Sequence, residues 1–118
     1  MLWRIDPASD EPLYAQLAAQ VHLAAARREL RPGDRLPAAR ELAESLDLNV
    51  HTVLKAYQQL RDEGLIELRR GRGAVVTARA DTDLSPVKDA LTALVGAARA
   101  ANISTETLTV LLKEAMTQ

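Results

Sequence analysis

Asn49, His51, Thr52, Lys55, Gln58 and Gln59 alternate with Val53, Ala56, Tyr57 and Leu60 in one short stretch of the chain. On a helical wheel, at about 100° per residue, the four apolar residues share one sector. His51, Lys55, Gln58 and Gln59 fall opposite, with Thr52 at the edge. An imidazole, a hydroxyl, an ammonium and side-chain amides on one outward face can meet base edges and phosphates. Where a helix enters a major groove by its N-terminus, its first turns make most of the contacts. That selects Asn49, His51, Thr52 and Lys55. A polar outer face alone is also what most solvated amphipathic helices show, so this reading needs a second feature.

The second feature follows at once in Arg69-Arg70-Gly71-Arg72-Gly73. Glycines permit a tight turn, and guanidinium groups on a narrow tip can enter a minor groove or clamp phosphates. In isolation this is equally a charged surface turn; a polar helix followed by an arginine tip is more specific than either part. No competing chemistry is visible. The chain has two His and no Cys, and no phosphate loop, metal-ligand spacing or nucleophile elbow. No enzyme, metal site or cofactor is expected. His22, apart from any Ser or Asp constellation, reads as a surface or rim residue.

The elements that must hold these residues can be read from periodicity. Pro12 precedes an i, i+4 stripe of Leu13, Leu17, Val21 and Ala25, which predicts a first helix to about Arg28. Arg31-Pro32-Gly33-Asp34 reads as a turn. Pro37 is expected to open a short second helix with Leu42 and Leu46 inward. Asp47-Leu48-Asn49 breaks it, Asn49 caps a third helix running to about Glu63, and Gly64 ends that helix. Leu65–Leu68 and Ala74–Thr77 read as a β-hairpin, and residues 78–83 as a linker. Ser85 and Pro86 are expected as cap and first residue of a fourth helix, bearing Val87, Leu91, Leu94, Val95 and Ala98. Ser104 is expected to cap a fifth, bearing Leu108, Leu111, Leu112 and Ala115.

The chain's 118 residues suffice for one domain and an appendage, not two full domains. Its 47% apolar and 26% charged residues indicate a globular chain. Phe is absent, so the core must be built from Leu, Ala, Val and Ile, a composition that favours helices. The net charge of −1 does not suggest nucleic acid, but local density rather than the total governs phosphate binding. No apolar run approaches the roughly 20 residues of a membrane span and no signal peptide is visible, so a cytoplasmic protein is expected. The fold class expected is mostly α with a small β-hairpin. Residues 1–78 form a winged helix-turn-helix and residues 79–118 a two-helix segment.

In order along the chain stand Pro12-Leu13-Tyr14, Leu30-Arg31-Pro32-Gly33-Asp34-Arg35-Leu36-Pro37, Arg40-Glu41-Leu42-Ala43, Asn49, Thr52-Val53, Ala56-Tyr57, Leu60, Glu63-Gly64-Leu65-Ile66 and Gly71-Arg72-Gly73. With these motifs the chain resembles the GntR family of bacterial transcription regulators, over about Pro12 to Val76. The Ala-Tyr pair and the short tail resemble its YtrA-type subfamily. The resemblance implies contact with double-stranded DNA through Arg40, through Asn49, His51 and Thr52, and through Arg70 and Gly71 of the wing; Arg72 belongs to the same basic tip. Ala38 stands where the family often has Ser, and Val50 and Leu54 where it often has Arg, so Lys55 is the better basic candidate. The resemblance further implies a homodimer, a repressor on a pseudo-palindromic operator, and control of a transporter operon.

Two short helices cannot bury both their apolar stripes alone. Val87, Leu91, Leu94, Val95, Leu108, Leu111 and Leu112 are therefore expected at the dimer interface. A small-molecule effector, whose identity no residue reveals, is expected between the C-terminal helices and the winged domain. The alternative from another class is a winged-helix protein-interaction module without specific DNA binding, which near-neutral charge would suit.

Overall fold

A computed structural model describes residues 2–118. The chain divides into two compact units, one ending at Thr82 and the other spanning Asp83–Gln118. The first contains helices α1 (Leu13–Ala26), α2 (Ala39–Leu46) and α3 (Val50–Asp62), strands β1 (Ile66–Arg69) and β2 (Gly73–Val76), and a 3-10 turn at Ala78–Asp81. The order of elements is the one expected for a winged helix-turn-helix.

α3 is the centre of the first unit: α1 and α2 both pack against it, and β1 follows at its end. Val53, Ala56 and Leu60 are fully buried, and Tyr57 nearly so, as the wheel required. They meet Leu17 and Val21 of α1, Leu42 of α2 and Ile66 of β1 in one apolar cluster. Non-directional burial of this kind is the main favourable term in folding. α1 ends two residues short of expectation because Arg28 adopts a left-handed backbone (φ +62°). The N–H groups of Glu29 and Leu30 then return to the Ala24 carbonyl.

Three local expectations differ from the structure. Pro37 does not open α2, which begins two residues later behind Ala38 in extended conformation. Its carbonyl instead accepts the Tyr57 hydroxyl proton at 2.6 Å. The strands sit one residue from their expected bounds at all four ends, because Arg69 pairs with Gly73 across the tip and Ile66 with Val76. Residues 33–36 do more than turn. Gly33 and Leu36 donate to the carbonyls of Val76 and Ala74, Val76 donates to Asp34, and Arg35 bridges Val75 antiparallel. β2 is thus covered along one edge, and Ala74, Val75 and Val76 are all buried.

The segment expected as a linker is largely structured. Thr77 caps the 3-10 turn, Ala80 is buried, and the Arg28 guanidinium meets the Asp81 carboxylate at 2.9 Å. The first unit therefore continues to Thr82, four residues beyond the expected boundary.

The second unit holds α4 (Ser85–Ala100) and α5 (Thr105–Met116). Ser85 is the first helical residue, not the cap, and Pro86 the second. Asp83 accepts the Ser85 N–H at 3.0 Å, doing what was expected of the serine. Ser104 does cap α5, accepting from Thr107 N–H at 3.1 Å. α4 and α5 do not pack along one another. Val87, Leu91, Leu94, Leu111 and Leu112 are exposed, while Val95 and Leu108 are half-buried. Val110 and Met116, not among the expected apolar residues, are exposed as well.

Candidate nucleic-acid interface

The tight connection between α2 and α3 sets the angle of the outer helix. α2 closes on Asp47 in a left-handed conformation (φ +55°, ψ +48°), which Asp tolerates better than most residues. The Leu48 N–H then returns to the Ala43 carbonyl at 2.8 Å. Asn49 caps α3 by accepting the His51 N–H at 2.9 Å. This engages one lone pair of its side-chain oxygen, and the amide NH2 group of Asn49 remains able to donate to a base or phosphate.

Tyr57 pins α3 from behind. Its ring is buried in the core and its hydroxyl holds the Pro37 carbonyl just before α2. Burial raises the phenol well above its ordinary pKa, so the group stays a neutral donor. This bond fixes the distance between the start of α2, where Arg40 lies, and the middle of α3.

On the solvent side of α3, His51 and Lys55 are exposed and Thr52 is half-buried. Arg40 is exposed in the first turn of α2. Lys55 does not extend freely: its ammonium lies 4.1 Å from the centroid of the Tyr14 ring on α1. Val50 and Leu54 stand where a basic residue is common in proteins the chain resembles. Val50 is half-buried against the core, but Leu54 is 40% exposed, on the same helix between His51 and Lys55. An aliphatic side chain there could meet a thymine methyl.

The wing separates its arginines. Arg69 is held by Glu67 through two contacts, Nε at 2.8 Å and Nη2 at 2.7 Å. Arg70 and Arg72 are exposed and have no acidic partner among the described residues. The tip closes through the Arg72 N–H on the Arg69 carbonyl at 3.1 Å. Gly71 stands at φ +81°, with open space where a Cβ would be. Backbone conformation, not crowding, is what requires glycine at this position. Arg35, beside β2 and exposed, adds a further guanidinium at the edge of this sheet. Its place was hidden because Arg31–Asp34 signalled only a turn.

Arg40, the first turn of α3 and the arginine tip thus lie on elements packed into one unit. Together they offer amide, imidazole, hydroxyl and cationic donors. His22, expected at the surface, is exposed and hydrogen-bonded to Glu63 at 2.9 Å. Among the described residues no group of His, Asp or Glu could hold a metal ion. No described helix is long and apolar enough to cross a membrane.

Comparison with known proteins gives a consistent result. The family described as "Bacterial regulatory proteins, gntR family" matches residues 13–76. The HTH-type transcriptional repressor YtrA of Bacillus subtilis is 38% identical, across 94% of this chain and 89% of its own length. The solved structure of YtrA from Sulfolobus acidocaldarius, a GntR-family transcription factor, is 36% identical. It superposes with a TM-score of 0.62 over 98% of this chain and 97% of that one. The DNA-binding domain of AraR, solved in complex with operator ORX1, is 26% identical with a TM-score of 0.56, covering 64% of this chain and 93% of that domain.

Proposed function

This chain belongs to the gntR family of bacterial regulatory proteins, and on that premise we propose how it acts as a DNA-binding regulator of transcription: as a homodimeric repressor that occupies a pseudo-palindromic operator. Regulation of transcription, not catalysis, is the work of its relatives. The observation that carries the proposal is the outward first turn of α3 together with two arginines of the wing tip, exposed and without acidic partners among the described residues. In this reading α3 lies in the major groove. His51 and the Asn49 amide meet base edges, while Arg40, Thr52 and Lys55 fix the register on the backbone. Gly71 lets the wing approach closely, and Arg70 and Arg72 reach phosphates or the minor groove. The repressor sense follows YtrA, and a transporter operon in the cytoplasm is the proposed setting. Control by a small-molecule effector belongs to this reading and is assigned no site.

His51→Ala tests the base-reading role. Binding to a duplex selected by the wild-type chain from a random library should weaken by roughly one or two orders of magnitude, in line with the cost of a lost base contact. A scrambled duplex of equal length should be affected much less. Equal losses on the two would remove His51 from base readout.

The exposed apolar residues of α4 and α5 support the dimer. Val87, Leu91, Leu94, Leu111 and Leu112 are open to solvent in the single chain, and a patch of this kind marks an interaction surface. A second copy, burying the same surface by two-fold symmetry, is the partner that fits a palindromic site. Leu111→Glu combined with Leu112→Glu in the full chain should produce a monomer in sedimentation, since a buried unpaired carboxylate is strongly disfavoured. A double variant that sediments as a dimer would exclude this interface.

A further inference from the structure

We propose that Tyr14 is a positioning residue for DNA binding: its ring seats the Lys55 ammonium at the flank of α3 and thereby directs Lys55 to a backbone phosphate, not to a base edge. This rests on the reading that the outer face of α3 meets DNA. Tyr14 is half-buried and packs against the core, so its ring is a fixed surface. The Lys55 ammonium stands 4.1 Å above the ring centroid, well within the reach of the electrostatic attraction between a cation and an aromatic face. Lys55 is exposed and has no carboxylate partner among the described residues. The ring leaves ammonium hydrogens free to donate elsewhere.

Direction and entropy both follow from this contact. Tyr14 lies in the first turn of α1, and α1 packs against α3. An ammonium drawn to that ring is turned from the outward face of His51 toward the neighbouring helix. Base edges lie at the floor of a groove and phosphates at its flanks, so a cation held at the flank meets phosphate. Lysine suits that task as a compact point charge on a flexible stem. Seating it before DNA arrives lowers the ordering cost of a side chain with many rotamers.

The test compares Tyr14→Phe, Tyr14→Leu, Lys55→Ala and the Tyr14→Leu/Lys55→Ala double variant. Fluorescence anisotropy, over a salt series, uses the selected duplex and a scrambled one. Tyr14→Phe keeps the aromatic face and should bind like wild type. Tyr14→Leu should lose about two- to fivefold per engaged protomer on both duplexes. Lys55→Ala should weaken both and flatten the salt dependence, because one phosphate contact fewer releases fewer counterions. In the Lys55→Ala background Tyr14→Leu should add nothing. Additive losses, or a Phe variant as weak as the Leu variant, overturn the positioning role. So does a Lys55→Ala loss confined to the selected duplex. If Lys55→Ala weakens neither duplex, the placement of Lys55 at the DNA face fails as well. Thermal melting accompanies each variant, and Tyr14→Met replaces Tyr14→Leu should the latter unfold.

Discussion

Removing Arg70 and Arg72 together by substitution to Ala should make DNA binding far less sensitive to salt. Each phosphate neutralised on duplex DNA contributes about 0.9 to the slope of log affinity against log salt. A homodimer brings both arginines twice, so the slope should fall by roughly 3 to 4. Between about 50 and 200 mM salt, the wild-type protein should then lose on the order of a hundredfold more affinity than the variant. Selected and scrambled duplexes should be affected alike, since phosphate contacts carry no sequence information. Arg69→Ala is the internal control. Arg69 is already neutralised by Glu67 at 2.7 Å, so its removal should leave the slope nearly unchanged. Parallel salt plots for the double variant and the wild type would show that the wing does not meet phosphates.

The largest effect on stability is expected from Leu60→Ala. Leu60 has no exposed surface and sits in the cluster that joins the helices to the hairpin. Truncating a fully buried Leu costs about 2–5 kcal/mol, the transfer term plus the cavity left behind. Small domains have only about 5–15 kcal/mol in total. The melting temperature should therefore drop by roughly 8–40 °C, taking about 4–8 °C per kcal/mol for a unit of this size. Leu54→Ala makes the same chemical change on the same helix at a residue 40% exposed, and should stay within about 0.5 kcal/mol of wild type. Urea unfolding followed by circular dichroism measures both. Similar midpoints for the two variants would contradict the placement of Leu60 at the centre of the core.

Both predictions depend on distinctions that differ in how far the sequence reveals them. The contrast between Leu60 and Leu54 is already present in the wheel, because α3 repeats every 3.6 residues and its buried face is set by spacing alone. The contrast between Arg69 and its neighbours is not. Arg69, Arg70 and Arg72 are chemically identical, and Arg69 lies beside Glu67, two residues back on the same strand face, only because β1 runs one residue past its expected end to Arg69. Leu54 differs for another reason: an aliphatic side chain on a polar face carries neither donor nor acceptor, so hydrogen-bonding chemistry does not mark it.

The outward first turn of α3 was itself determined by sequence. Its apolar spacing, the Asn49 cap and the terminating Gly64 act within a few residues along the chain, so each works before the chain is packed. The same holds for α1, the Ser104 cap of α5 and the apolar spacing of α4 and α5. The tertiary structure decided what depends on distant segments. Arg35 forms an isolated bridge at the sheet edge only because Val75 of β2 lies beside it, some 40 positions on. Pro37 serves Tyr57 instead of opening α2. The first unit runs on to Thr82 because Ala80 finds the core. Lys55 turns toward Tyr14 because α1 is folded against α3. In each case the deciding partner lies far along the chain. Periodicity and capping report only near neighbours, whereas packing selects among distant ones by shape and unpaired hydrogen-bonding groups.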